Sequence, residues 1–375
     1  MTKFLVPAIV VTALVASLPA QPVLDQHTTI RTKAVAFLKK SQNEDGSWSA
    51  PAQPQSRGVT GIVVTGLLGT GVAATDEPAA KGLKFIESLV NEKEGHIAGN
   101  DTKAGLINYT TSVNIMALSA ASAGDKYKSV LGNAAKYLKS TQWDEGRKKG
   151  PDSDYYGGAG YAGDNSRPDL SNTAFFLEAL KTAGVSQDDP AFKKASEFVS
   201  RCQNFASEHN KAAWAAKNND GSFMYTGANG GENRRTDGEG VKTDMGGYGS
   251  MTYAGVKSLI YCGVGKDDPR VKKALEWIGK NYTLDANPGM PASHPQRGLF
   301  YYYHTFAKTM DALGVDEFTD AGGKKHDWRA DLLDALAKRQ KPDGSFVNDN
   351  DRWMEGDPNL VTGYALMALS YCKKK

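Results

Sequence analysis

Three cysteines in 375 residues are too few for a disulfide scaffold or a four-cysteine zinc site. Cys202, Cys262 and Cys372 fall in helical apolar patterns and read as small buried hydrophobes. An excess of one charge is also lacking. Lys and Arg number 45 against 42 Asp and Glu, a net +3, which leaves no basic footprint for nucleic acid and no acidic tail. Beyond residue 20 no stretch reaches the ~18 uninterrupted apolar residues of a membrane span. No run of alternating residues announces a substantial sheet. Glycine, at 40 residues, is instead well above its usual share of ~7%. The excess points to many turns and many short elements.

Residues 1–20 stand apart. Lys3 supplies a charged start, Phe4 to Leu18 is apolar except for Thr12 and Ser17, and no acid occurs before Asp25. Leu18-Pro19-Ala20 places a small residue before Gln21. This reads as a secretory signal peptide, so the mature chain is expected to be exported to the periplasm or beyond. Leu18 departs from the small-residue rule at the cleavage site, which keeps an uncleaved anchor as the alternative.

The rest of the chain repeats. Ala34, Phe37, Leu38 and Ser41 share one helical face. The same face recurs at Gly82, Phe85, Ile86 and Leu89, at Ala134, Tyr137, Leu138 and Thr141, at Ala195, Phe198, Val199 and Cys202, at Ala274, Trp277 and Ile278, and at Leu332, Ala335 and Leu336. Between these amphipathic helices lie six segments that are apolar on most sides: 59–71, 109–124, 169–184, 249–264, 299–314 and 359–372. A helix apolar all round is buried. Several of the six end in Gly, and each opens near Ser, Thr, Asn or Asp, as helix caps require. The last is as apolar as the middle ones, whereas an open solenoid wants polar terminal caps. Closure meets that demand. The expected fold is all-α, an (α/α)6 toroid of six helical-hairpin repeats: one domain over residues 29–372, six parallel inner helices and six outer ones. Asp188-Asp189-Pro190, Asp267-Asp268-Pro269 and Asp76-Glu77-Pro78 punctuate outer-helix starts and read as caps. The long linkers, 143–168, 204–248 and 281–298, run from outer to inner helices and gather on one face, where repeat proteins carry their binding surface.

The string Lys33-Ala34, Phe37-Leu38, Gln42, Gly46, Trp48 resembles the QW repeat of squalene and hopene cyclases, and Leu332 to Phe346 resembles a second copy through Gln340, Gly344 and Phe346. Residues 167–180 and 248–264 are similar to inner-helix segments of the wider prenyltransferase and squalene-oxidase repeat superfamily. The resemblance implies the toroid, and it implies that Gln42, Trp48, Gln340 and Phe346 brace neighbouring repeats. It also brings two chemistries to look for. The Asp-x-Asp-Asp acid of the cyclases is not in this sequence; Asp152-Ser153-Asp154 is the nearest string. The zinc of the protein prenyltransferases needs an Asp-x-Cys that is missing here, although Tyr303-His304-Thr305 resembles the histidine segment of that branch. No metal and no cofactor are expected.

In a toroid the inner helices line a central cavity and their starting ends meet at its mouth. Asp169, His304, Glu355 and Asp357 are the candidate catalytic residues by that position, and Asn172, Asp244, Tyr253, Tyr303, Arg352, Trp353 and Asn359 the candidate ligand contacts. Two carboxylates in different surroundings can divide into an acid and a base, and Arg352 is placed to hold one of them ionised. Of Tyr301 to Tyr303, one or two at most can face the cavity, since successive helical residues are ~100° apart. Three functions follow. The first is an exported enzyme of the cyclase and prenyltransferase kind, acting on or binding a hydrophobic isoprenoid-type molecule. The second is a non-catalytic binding or scaffold toroid. The third is a carbohydrate-active toroid, suited by paired carboxylates with aromatic platforms. The expected partner is a hydrophobic small molecule, with no nucleic acid; a membrane surface stays open, and nothing in the sequence fixes an oligomeric state.

Overall fold

The computed structural model describes residues 25–48, 56–100, 106–121, 124–162, 166–238 and 240–373. The expected signal peptide at 1–20 lies outside the described residues. Six outer helices are α1 (Gln26–Ser41), α3 (Glu77–Ser88), α5 (Lys128–Thr141), α7 (Pro190–Arg201), α11 (Pro269–Lys280) and α13 (Trp328–Arg339). Six inner helices are α2 (Ser56–Gly69), α4 (Ile107–Ala120), α6 (Leu170–Thr182), α10 (Gly249–Tyr261), α12 (Leu299–Leu313) and α14 (Pro358–Leu369). Two short helices, α8 (Ala213–Asn218) and α9 (Gly240–Thr243), lie in the longest linker. A two-stranded antiparallel hairpin, β1 (Phe318–Thr319) with β2 (Lys325–His326), joins α12 to α13.

The two helix classes follow from their sequences. The outer α7 buries Ala191, Phe192, Ala195, Phe198 and Val199, a single stripe, while the inner α4 buries Asn108 and every residue from Thr110 to Leu118, polar ones included. Aspartates cap the starts: the side chains of Asp169, Asp189, Asp268 and Asp357 each accept a backbone N–H of the following first turn. Past the ends, Gly71, Gly184, Gly263 and Gly314 take positive φ of 86°, 79°, 82° and 59°.

The ring closes. Neighbour packs on neighbour in the order α2, α4, α6, α10, α12, α14 and back to α2. At the seam α14 and α2 approach backbone to backbone: a Cβ on Gly66 would stand 2.8 Å from the Gly363 carbonyl oxygen. Outside them, α3 lies against α2 and α4, α5 against α4 and α6, α7 against α6 and α10, and α13 against α12 and α14. The architecture is the (α/α)6 toroid.

One joint recurs around it. The Gln42 side-chain amide donates to the carbonyls of Gly46 and of Pro78 in the next outer helix, at 2.9 and 3.0 Å. Gln142 does the same to Gly157 and Ala191, Gln203 to Gly221 and Arg270, and Gln340 to Gly344 and Ile30. The turn glycine in each case sits on that neighbour; a Cβ on Gly157 would lie 1.8 Å from the Lys194 carbonyl oxygen. In three of these turns an aspartate, Asp45, Asp220 or Asp343, accepts from the serine two residues on. The next residue, Trp48, Phe223 or Phe346, is fully buried and donates its backbone N–H to a threonine of the following inner helix: Thr60, Thr252 or Thr362. The cysteines are free thiols.

Candidate functional site

Because the inner helices run parallel, their first turns meet at one end of the ring. Val59, Tyr109, Ser171, Ser250, Met251, Tyr301 and Leu360 stand there around a cavity of about 200 Å³, with Phe175 and Tyr364 a turn deeper. Outer-to-inner linkers complete the walls with Leu106, Tyr161, Tyr225, Tyr248, Trp353, Met354 and Glu355. Eight aromatic rings therefore face one small space, six of them phenols. They are packed against one another: Tyr109 meets Phe175 edge-on at 5.2 Å, and Tyr301 meets Tyr364 at 5.8 Å. Their hydroxyls are partly spent among themselves, Tyr109 with Tyr364 at 3.3 Å and Tyr301 with Ser171 at 3.0 Å.

Among the described residues, the exposed large hydrophobic side chains are Tyr161, Trp353 and Met354, and all three stand at this mouth. Trp353 and Met354 hold left-handed backbone, with φ of 59° and 66°. That conformation costs a non-glycine residue roughly 1–2 kcal/mol. The Trp353 ring lies over Gly298, the residue that precedes α12, where a Cβ would come within 2.8 Å of it.

Glu355 is the acid of the cavity wall. It is 1% exposed. Its carboxyl accepts the Tyr301 N–H at 2.8 Å, the Phe300 N–H at 3.3 Å and the Asn348 side-chain amide at 2.6 Å. It thereby caps α12, whose own preceding residue, Gly298, has no side chain to do so. Burial drives its pKa up to about 7 against the pull of those hydrogen bonds. Asp169 is the second acid, set just behind the wall at the start of α6 and 1% exposed. It accepts the backbone N–H and the side-chain amide of Asn172 at 2.8 and 2.7 Å. Burial again dominates, lifting it to about 6, with Asn172 and Tyr225 pulling the other way.

His304 lies beneath the floor. Its ring stacks on Phe175 at 5.9 Å and on Tyr364 at 5.6 Å, and neither ring nitrogen has a hydrogen-bond partner among the described residues. Burial, then the charges of Lys308 and Lys257, hold its pKa well below the usual histidine value, so the ring is neutral.

The expected site residues thus separate. Glu355 and Trp353 line the cavity, and Asp169, Asn172 and His304 adjoin it. The others are engaged elsewhere. Asp357 caps α14 through the Asn359 N–H at 2.8 Å, and Asn359 accepts the Ser41 hydroxyl at 2.6 Å. Asp244 takes two bonds from the Arg235 guanidinium. Tyr253 packs between Tyr302 and Phe306, and Tyr303 donates outward to the Leu284 carbonyl; of the three successive tyrosines it is Tyr301 that faces inward. Arg352, expected to hold one of the site carboxylates ionised, instead pairs with Asp237 in the longest linker. The tyrosines of the walls, Tyr109, Tyr161, Tyr225, Tyr248 and Tyr364, were not among the expected contacts. Tyr109 and Tyr248 carry a signal, an aromatic residue at an inner-helix start, whereas Tyr161 and Tyr225 come from linkers and Tyr364 from the middle of α14.

No protein-family model matches the chain, and no curated protein sequence matches it. Solved structures do. A variant of the type II terpene cyclase MstE from Scytonema, in complex with its substrate geranylgeranyl dihydroxybenzoate, superposes with a TM-score of 0.59 at 16% identity over 93% of this chain and 97% of that one. An unsaturated glucuronyl hydrolase specific for heparin gives 0.56 at 16% identity, over 92% and 96%. A polysaccharide lyase gives 0.53 at 9% identity, over 92% and 96%. The chain shares the toroid fold of terpenoid cyclases and of toroidal glycosidases and lyases, and at these identities the likeness speaks for fold alone.

Proposed function

We propose that this protein binds a hydrophobic small molecule of the isoprenoid type in the aromatic cavity at the mouth of the ring. The observation that carries the reading is the lining itself. Eight aromatic rings enclose the space, and the one carboxyl group that joins them among the described residues is pushed up to about 7. Such a cavity suits an apolar guest. A void of ~150 Å³ already admits a benzene-sized molecule, so about 200 Å³ takes a ring or the end of a chain, with the remainder leaving past Trp353 and Met354. A sugar presents a hydroxyl on nearly every carbon and needs a polar partner for most of them. Here Ser171, Tyr301, Tyr109 and Tyr364 already bond to one another.

Catalysis by alkene protonation is not part of this reading. An acid whose pKa is raised gives up its proton reluctantly, and the Asp-x-Asp-Asp string is not in the sequence. Glu355, half-protonated near neutrality, instead offers a hydrogen bond to a single polar group on the guest. Export through residues 1–20 is part of the proposal, and N-terminal sequencing of the secreted or periplasmic protein checks it.

The test is a titration with geraniol, followed by tryptophan fluorescence, alongside the disaccharide maltose. Saturable quenching by geraniol, lost in Trp353→Phe and weakened in Tyr301→Ala, is expected. Binding of maltose with no response to geraniol would overturn the reading in favour of a sugar site.

A further inference from the structure

At the far end of the ring, where the inner helices finish, a second cavity of about 330 Å³ opens between α2, α4, α6, α12 and α14. Its wall carries Glu178 and Lys308. Glu178 accepts a bond from Lys308 and another, at 2.8 Å, from Lys257. The three side chains are 6%, 4% and 2% exposed. Charged residues in helices otherwise apolar on every side are rare, and they persist only when paired. Here two ammonium groups share one carboxylate, which leaves one positive charge in the middle of the fold. Burial works against the Glu178 charge, but Lys257 and Lys308 outweigh it and hold the carboxyl below its usual range. Burial and the neighbouring Lys257 bring Lys308 down to about 8, so it stays mostly a cation at neutral pH.

The hydroxyls around this charge divide into two kinds. Thr65, Thr182 and Ser370 give their protons to the carbonyls of Gly61, Ala179 and Met367 and so present lone pairs to the cavity. The buried Ser119 hydroxyl has no hydrogen-bond partner among the described residues and is free to donate. Met116 and Met367 supply apolar wall. We propose that this second cavity binds a small organic monocarboxylate, its carboxylate on Lys308 and Ser119 and its apolar end between the two methionines. The charge count selects a monoanion: one negative charge balances the Lys257–Glu178–Lys308 group, whereas a dianion such as hydrogen phosphate would leave one buried negative charge unbalanced. The site stands apart from the aromatic cavity and does not depend on what fills it.

Calorimetric titration of the full chain with butyrate, with its neutral analogue butyramide, and with inorganic phosphate, all at one ionic strength, tests the proposal. Butyrate is expected to saturate a single site and to bind at least roughly tenfold more tightly than butyramide or phosphate. Lys308→Met leaves a neutral Lys257–Glu178 pair and should erase the preference for butyrate. Ser119→Leu fills the cavity without touching a charge; it should abolish butyrate binding while leaving the melting temperature without ligand close to that of the parent, and it serves alone if the lysine variant does not fold. Equal binding of butyrate and butyramide, tighter binding of phosphate, no saturation by butyrate, or butyrate binding that survives Ser119→Leu would each overturn it.

Discussion

Replacing Glu355 with Gln is expected to remove a pH dependence of stability that the cavity imposes. The Glu355 carboxyl has an ordinary value of 4.5 and is pushed up to about 7 in the fold, with burial as the main cause. Folding therefore prefers the neutral acid. The stability this group lends is whole below its unfolded pKa, near 4.5, and is lost as the pH rises through about 7, after which it stays constant. Two and a half units at ~1.4 kcal/mol each make the swing about 3 kcal/mol, with no discount for solvent because the carboxyl is buried. The Gln side chain cannot ionise, and its amide oxygen can still accept the Tyr301 N–H. Asp169, whose raised pKa shapes the same pH range, is present in both proteins and cancels in the difference. Urea unfolding of parent and variant across the range from about pH 4 to about pH 9 measures the effect. The parent should gain about 3 kcal/mol on the variant toward the acid end. Parallel profiles would refute the reasoning, and a gain of the opposite sign would show that the fold stabilises the Glu355 anion.

Further outcomes follow from the joints and the mouth. Trp48→Ala should cost about 3–5 kcal/mol in denaturant unfolding, since the indole is fully buried and its N–H donates to the Leu38 carbonyl at 2.9 Å, and should leave geraniol affinity of the folded protein unchanged. Gly157→Ala and Gly71→Ala share a left-handed backbone, φ 83° and 86°, but a Cβ meets the Lys194 carbonyl in the first and nothing within 4 Å in the second; thermal melts should show a loss of roughly 1 kcal/mol for Gly71→Ala and a clearly larger one for Gly157→Ala. Trp353→Gly relieves a left-handed backbone and removes an exposed ring, so it should raise stability by up to about 1 kcal/mol while weakening geraniol binding measured by calorimetry.

The toroid was legible because two periodicities are superimposed on one chain. A striped helix such as α7 and an all-apolar helix such as α14 can be told apart from residue order alone, and their alternation has few packed solutions. The site was legible only where a single element decides it. Asp169 and Glu355 could be placed near helix starts, and the buried surroundings that raise their pKa values follow from closure. Helical phase was the limit for the tyrosines of α12: two steps of ~100° separate Tyr301, which faces the cavity, from Tyr303, which bonds to the Leu284 carbonyl outside it. Arg352 shows a second limit. Its partner, Asp237, lies in the longest linker, and no local pattern brings that linker to the mouth. The group of Glu178, Lys257 and Lys308 was open to discovery by a simpler sign, charges on helices that cannot face water, although only the ring geometry says that the three meet.

The joint from Gln340 to Ile30 is chemically the joint from Gln42 to Pro78, from Gln142 to Ala191 and from Gln203 to Arg270, although it connects the last outer helix to the first. The seam of the ring is therefore not a scar. Seen as a circle, the molecule has no privileged starting point, and chain order is a label that the packing does not read. His27 reaches the Leu369 carbonyl at 3.2 Å, so the beginning of α1 and the end of α14 already sit side by side. Joining them with a few glycines and cutting the chain in an outer-to-inner linker would produce a circular permutant with every Gln joint kept. The cyclic order of the repeats is unchanged in such a permutant, and the two cavities, at opposite ends of the axis, would persist wherever the chain was opened.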